Sequence, residues 1–163
     1  MSTEQAYRDY VAGNLDRLRR TAYLLCGDWH LADDLTSTVL VKLLRHWKRA
    51  TVMEHRDAYV RRMLMSAWLD ERRRPWRRES STDRLPDRSV PAADADQRLD
   101  VLSLLAGLPP RRRAVLVLRY FCDLSVEETA QALGCSEGPV KSQAARALEA
   151  LRAGLQEGDP LWS

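Results

Sequence analysis

The chain has 163 residues, 45% of them hydrophobic and 30% charged, enough apolar material for one ordinary domain or two small ones. Its formal net charge is only +3, but the basic residues cluster, at Arg72 to Arg78 and at Arg111 to Arg113. Either block is compatible with a nucleic-acid surface or with a plain solvated face. No apolar run approaches the roughly 20 residues that cross a bilayer, and the first residues lack a signal pattern, so no membrane insertion and a cytoplasmic location are expected. Cys26, Cys122 and Cys135 are odd in number and widely spaced, which supports neither a disulfide framework nor a zinc site.

The first predicted helix runs from about Glu4 to Cys26. Tyr7, Val11, Leu15, Leu18, Ala22 and Leu25 give it one apolar face, and Gly27 ends it. A second runs from Trp29 through Trp47, with Leu31, Leu35, Val39, Leu43 and Trp47 as its buried stripe. Asp33 and Asp34 are expected in its first turn, where they complement the helix dipole. A third runs from near Arg56 to about Arg73, with Tyr59, Met63 and Ala67 on one side and Val60, Leu64 and Trp68 beside them.

Pro75 interrupts the pattern. Residues 76–96 are rich in Pro, Ser, Arg and Asp and poor in apolar side chains, so they read as a flexible linker. Helical spacing returns at Leu99, Leu102 and Leu105. The next helix starts at Pro110, with Ala114, Val115, Leu118 and Phe121 as its buried face. Ser125-Val-Glu-Glu128 is a capping box, and the helix behind it stops at Gly134. Ser136 is placed to cap a last helix with Val140, Ala144, Ala147, Leu148, Leu151 and Leu155 as its apolar stripe. No stretch alternates with period two. The expected fold class is all-α: two small helical domains joined by a flexible linker, the C-terminal one containing a helix-turn-helix.

The opposite face of that last helix carries Lys141, Ser142, Ala145 and Arg146, with Gln143 at its margin. Small residues let the backbone approach a groove. Lys141 and Arg146 can bond guanine or phosphate, and Ser142 or Gln143 can reach base edges. A surface helix charged only for solubility fits the same spacing. His30, His46 and His55 are scattered without a nucleophile pattern, and no Gly-rich phosphate loop or metal-ligand spacing occurs. No enzyme, metal or cofactor is expected.

The stretch from Leu108 to Ser136 resembles the C-terminal promoter-binding domain of bacterial sigma factors. Ala32-Asp-Asp-Leu35, then Ala58 to Ser66 and the Arg72 block, is similar to their core-binding and promoter-melting domain. Two such domains in a short chain resemble an extracytoplasmic-function sigma factor. The resemblance implies domains at 1–75 and 97–157, the linker between them and a tail at 158–163. It implies contact with the β′ clamp helices of RNA polymerase core through Asp33, Asp34, Leu35, Val39, Leu40 and Leu44. For the two aspartates, helix capping is the competing role. The −10 element of promoter DNA would be met and melted by Tyr59, Arg62, Ser66, Trp68, Arg72, Arg73 and Arg74; Tyr59 and Trp68 fit base stacking and core packing equally. The −35 element would be read by Arg119, Lys141, Ser142, Gln143 and Arg146, with that domain on the β flap. Asp83, Asp87, Asp94 and Asp96 would suit a cationic polymerase channel or simple solubility. A possible further partner is an anti-sigma factor.

The chain departs from the family pattern in three places. Asp33-Asp-Leu-Thr-Ser37 stands where Glu-Asp-Leu-Val-Gln is usual, Ser66 stands for an Asn, and Pro139 stands for a Thr. These changes bear on promoter choice more than on class. The alternative is a helix-turn-helix regulator that never meets polymerase core.

Overall fold

Helix α1 (Thr3–Cys26) opens under a serine cap, Ser2 Oγ accepting from the Gln5 N–H at 3.1 Å. It closes at Gly27, whose φ of +74° is the left-handed cap conformation, with its N–H donating to Tyr23 O. The computed structural model describes residues 2–73 and 95–158, and the described residues are helical with no strand. Helix α2 spans Trp29–Arg45, α3 Trp47–Thr51, α4 Arg56–Arg73, α5 Ala95–Ala106 and α6 Pro110–Leu116. A π-helical turn, Val117–Phe121, extends α6, and α7 (Val126–Leu133) and α8 (Glu137–Gly158) come after it. Most of the expected linker lies outside the described residues. Ala95 and Asp96, assigned to it by sequence, begin α5.

The N-terminal half packs α1, α2 and α4 around Leu25, Val39, Leu43, Leu64 and Met65, all essentially inaccessible. Two expectations change here. Asp28, not Asp33 or Asp34, caps α2, accepting from the His30 and Leu31 N–H groups at 2.8 and 3.3 Å; the pair sits beyond the first turn. Nor does α2 continue through Trp47. His46 leaves the helical well, and the chain turns so that Trp47 and Ala50 are both buried. Tyr7 meets the Trp47 ring edge-on at 5.4 Å, and the Arg56 guanidinium lies 5.0 Å from it. Arg56 also donates to Thr51 O, and to Ala50 O beside the bond that carbonyl takes from the Met53 N–H.

In the C-terminal half, Pro110 is the first residue of α6. The π turn admits one surplus residue, which rotates the next positions about the helix axis. Val117, at its start, is buried, and Phe121, expected in the buried face, is 48% exposed. The capping box is fully formed: Ser125 Oγ accepts from Glu128 N–H and Glu128 Oε1 accepts from Ser125 N–H, both at 3.0 Å. Gly134, at φ +67°, turns the chain from α7 into α8.

The two halves share one core. Ala114, Val115, Leu118, Leu124, Ala130, Leu133 and Val140 form a continuous buried cluster with the residues of α1, α2 and α4. Helix α7 lies along α4, and the π turn rests on α1. Arg113, read from sequence as part of a basic face, is instead 7% exposed. Its Nε donates to Leu24 O at 2.7 Å, at the carbonyl-rich end of α1. Burial pulls its pKa down to about 10. Nearby, Thr21 Oγ1 and Cys122 Sγ lie 3.8 Å apart across the same joint, and burial raises the thiol pKa.

The packing makes three outcomes measurable. Ser125→Ala should lower the unfolding free energy by about 1 kcal/mol in urea titrations. The Ser125 N–H holds the Glu128 pKa below its ordinary value. The Glu128 contribution is therefore full above the ordinary carboxylate pKa and is lost as pH falls through the lowered one, so wild type and Glu128→Ala should converge in acid. Trp68 is 3% exposed. Trp68→Ala should cost about 3–5 kcal/mol of stability in the same titration, and an unchanged midpoint would count against its place in the core.

Candidate nucleic-acid interface

The helix-turn-helix consists of α7, the turn at 134–136 and α8. The capping box fixes where α7 begins, and Thr129, fully buried, donates its hydroxyl to Ser125 O at 2.8 Å. Val140, Ala144 and Ala147 anchor α8 inward. That leaves Lys141, Ser142, Ala145 and Arg146 together on the exposed side, a cationic strip on small side chains. Gln143 is half-buried at its edge, where its Oε1 accepts from Arg112 Nε at 2.8 Å. Arg119 is differently placed. It donates from Nη1 to Leu124 O and lies over the Tyr120 ring at 5.7 Å, so it braces the turn before α7.

The candidate −10 residues line α4. Arg62, Ser66 and Arg72 are exposed, Tyr59 is half-buried and Trp68 is buried. The Arg72 guanidinium stands 5.5 Å from the Trp68 ring centre. Trp68 is thus a core residue covered by a cation, not an open stacking platform. Arg73 closes α4, its side chain lies outside the described residues, and so does all of Arg74. Helix α7 flanks this helix: the Arg62 Nη2 lies 3.9 Å from where a Cβ on Gly134 would stand. The helix that would melt DNA and the motif that would read DNA therefore touch each other.

The candidate polymerase contacts on α2 divide by burial. Leu35 and Val39 are 3% and 0% exposed and hold α2 to the core, so neither offers a surface in this arrangement. Leu40 is half-buried, its carbonyl taken by the Tyr7 hydroxyl at 2.8 Å. Leu44 is 54% exposed, and Val41, overlooked in the sequence, is 50% exposed beside it. Its signal was available: Val41 is apolar yet falls off the Leu31–Leu35–Val39–Leu43 stripe. Asp33 is exposed and pairs with Arg19 at 2.5 Å, and Asp34 is exposed beside it. Arg19 in turn covers Trp29, which stacks on Tyr23 at 4.0 Å.

A cavity of about 510 Å3 opens between α1, α4 and the π turn, with Leu18, Val60 and Leu64 on its floor and Arg17, Asp57, Arg61 and Phe121 around it. Among the described residues no cluster of His, Cys, Asp or Glu is arranged to hold a metal ion, and no helix is long and apolar enough to cross a membrane.

Residues 10–78 match the Sigma-70 region 2 family and residues 98–151 the Sigma-70 region 4 family. The RNA polymerase sigma-E factor of Streptomyces avermitilis is 38% identical over 158 residues, covering 94% of this chain and 87% of that protein. That of Streptomyces coelicolor is 37% identical, covering 94% and 88%. The fold matches that of the sigma factor RpoE from Bartonella quintana, solved with the anti-sigma factor NepR, at a TM-score of 0.78 and 22% identity over 93% of this chain and 98% of the other. It also matches CnrH, solved with the cytosolic domain of CnrY, at 0.69 and 22% over 96% and 91%. A regulator that never meets polymerase is not favoured by a chain carrying region 2 as well as region 4. With a helical region 2 match, a region 4 helix-turn-helix and these relatives, the chain belongs to the extracytoplasmic-function sigma factors of bacterial RNA polymerase, in their sigma-E-like branch.

Proposed function

We propose that the chain acts in the cytoplasm as a non-catalytic, dissociable specificity subunit, with the work divided between residues 1–75 and 97–157. The observation that carries this reading is the strip of Lys141, Ser142, Ala145 and Arg146, exposed on a fully capped helix-turn-helix. Lys141, Ser142, Gln143 and Arg146 read the −35 element. Arg119 braces the turn beside them. Arg62, Ser66 and Arg72, continued by Arg73 and Arg74, meet the −10 element, supported by Tyr59 and Trp68. Asp33, Asp34, Leu40 and Leu44, joined by Val41, take polymerase core, and Leu35 and Val39 keep that surface in place. A protein of the kind bound to RpoE, an anti-sigma factor, is a fitting further partner.

The packed arrangement adds a step. The two elements are by name about 25 base pairs apart, some 85 Å of duplex at about 3.4 Å per pair. A globule of this length has a radius of gyration of only about 15 Å. With α7 lying on α4, one packed chain cannot reach both elements, so binding of core must accompany separation of the halves.

Run-off transcription tests the core of the reading. Protein plus sigma-free polymerase should start RNA at a cognate promoter, and protein alone should bind that promoter weakly. No transcript from any promoter tried would sink it. Arg146→Ala should weaken promoter use by about 1–3 kcal/mol if the side chain pairs with a base, and unchanged activity would remove Arg146 from the site. The separation step has its own test. Thr21→Cys would face Cys122 across the joint, where the native atoms are 3.8 Å apart. Once oxidised and verified as cross-linked by mass, this variant should lose transcription and regain it with reductant. Adding Cys122→Ser should abolish the redox effect. Full activity while cross-linked would overturn the need to open.

A further inference from the structure

Gln143 stands at the edge of the recognition face, but its carbonyl end is already engaged. Arg112, on α6, donates its Nε hydrogen to Gln143 Oε1 at 2.8 Å. A guanidinium has donors only, so an amide turned the other way would set N–H against N–H. The chemistry of the pair therefore fixes the amide, oxygen towards α6 and NH2 group outward. An outward NH2 group donates to acceptors on the major-groove edge: N7 or O6 of guanine, N7 of adenine, O4 of thymine. It meets the N4 donor of cytosine badly. It also forgoes the two-pronged adenine contact, in which glutamine must accept from N6 as well as donate to N7.

We propose that Arg112 is a specificity-determining positioning residue, holding Gln143 as a donor so that one base pair of the −35 element is selected for an acceptor and against cytosine. The proposal rests on the reading of α8 as the −35 helix. Two features of the site favour it. Gln143 is flanked on the same helix by exposed Ser142 and Arg146, so the amide lies at the border of the strip that would enter the groove. Arg112 comes from a different helix, so its hold on Gln143 is set by the packing of α6 on α8 and not by the local flexibility of α8.

The test uses holoenzyme assembled from sigma-free polymerase and the full chain, on a duplex promoter library randomised through the −35 element, with transcribed templates sequenced. Wild type should select a motif with one position depleted of cytosine. Arg112→Ala should relax that position by about tenfold, admitting cytosine and raising adenine through the two-pronged contact, and leave the other positions unchanged. Arg112→Lys, which keeps charge and loses the fixed Nε donor, should relax the same position while retaining overall promoter affinity. In a Gln143→Ala background, Arg112→Ala should produce no further change in preference. A uniform loss across all sequences, with the log–log salt slope reduced by about 0.9, would make Arg112 a phosphate clamp and overturn the proposal. Unchanged preference in both Arg112 variants would overturn it as well. No selected motif with wild type would overturn the −35 reading itself, and this proposal with it.

Discussion

A buried guanidinium at the end of a long helix joins the two halves of this sigma factor. The last carbonyls of α1 have no intrahelical partners, and Gly27 leaves the space beside them open. Arg113 enters from the other half and gives Leu24 O a charged donor at 2.7 Å. Around that bond the apolar residues of both halves merge into one core. Hydrogen bonds to charged groups contribute about 1.5–3 kcal/mol. Burial works against the charge, as the pKa pulled down to about 10 records. That bond is thus specific in direction and modest in net strength, a combination suited to the separation of the halves proposed above.

Local order was legible because local rules govern it. The spacing of Leu18, Ala22 and Leu25 named the inner face of α1, and Ser125 with Glu128 named the start of α7 from sequence alone. Errors arose wherever a distant contact decided. Arg113 looked like surface charge because nothing in its neighbours reveals Leu24 O, 89 residues away. Trp47 fits the stripe of α2, yet Tyr7 and Arg56 draw it into a separate short helix. Phe121 keeps perfect α-helical spacing from Leu118, and spacing cannot register a surplus residue. The site was legible as a set of residue types on a helix face. Which members are open, which are braces and which are core depends on tertiary packing: Leu35 and Val39 lie beneath the surface they were assigned to.

The proposed recognition surfaces consist of internal bonds as much as of exposed side chains. Arg119 spends a donor on Leu124 O, Arg112 spends one on Gln143, and Asp33 is paired with Arg19. Each bond narrows what a side chain can offer a partner. An unpaired arginine is attracted to any phosphate, whereas a held one presents donors along fixed directions. In the proposed reading Lys141 and Arg146 meet the −35 element directly, and the held groups refine alignment. The departures at Ser37, Ser66 and Pro139 are exposed on or beside these surfaces.

The π turn at Val117–Phe121 absorbs one extra residue inside a helix. An α-helix advances about 100° per residue. Taken up in a single wide turn, a surplus residue does not pass that rotation on, so excising one amino acid there would restore a regular coil and leave everything downstream facing much as it does now. The aim of the helix-turn-helix relative to the N-terminal half is therefore buffered against a one-residue change in chain length at this point.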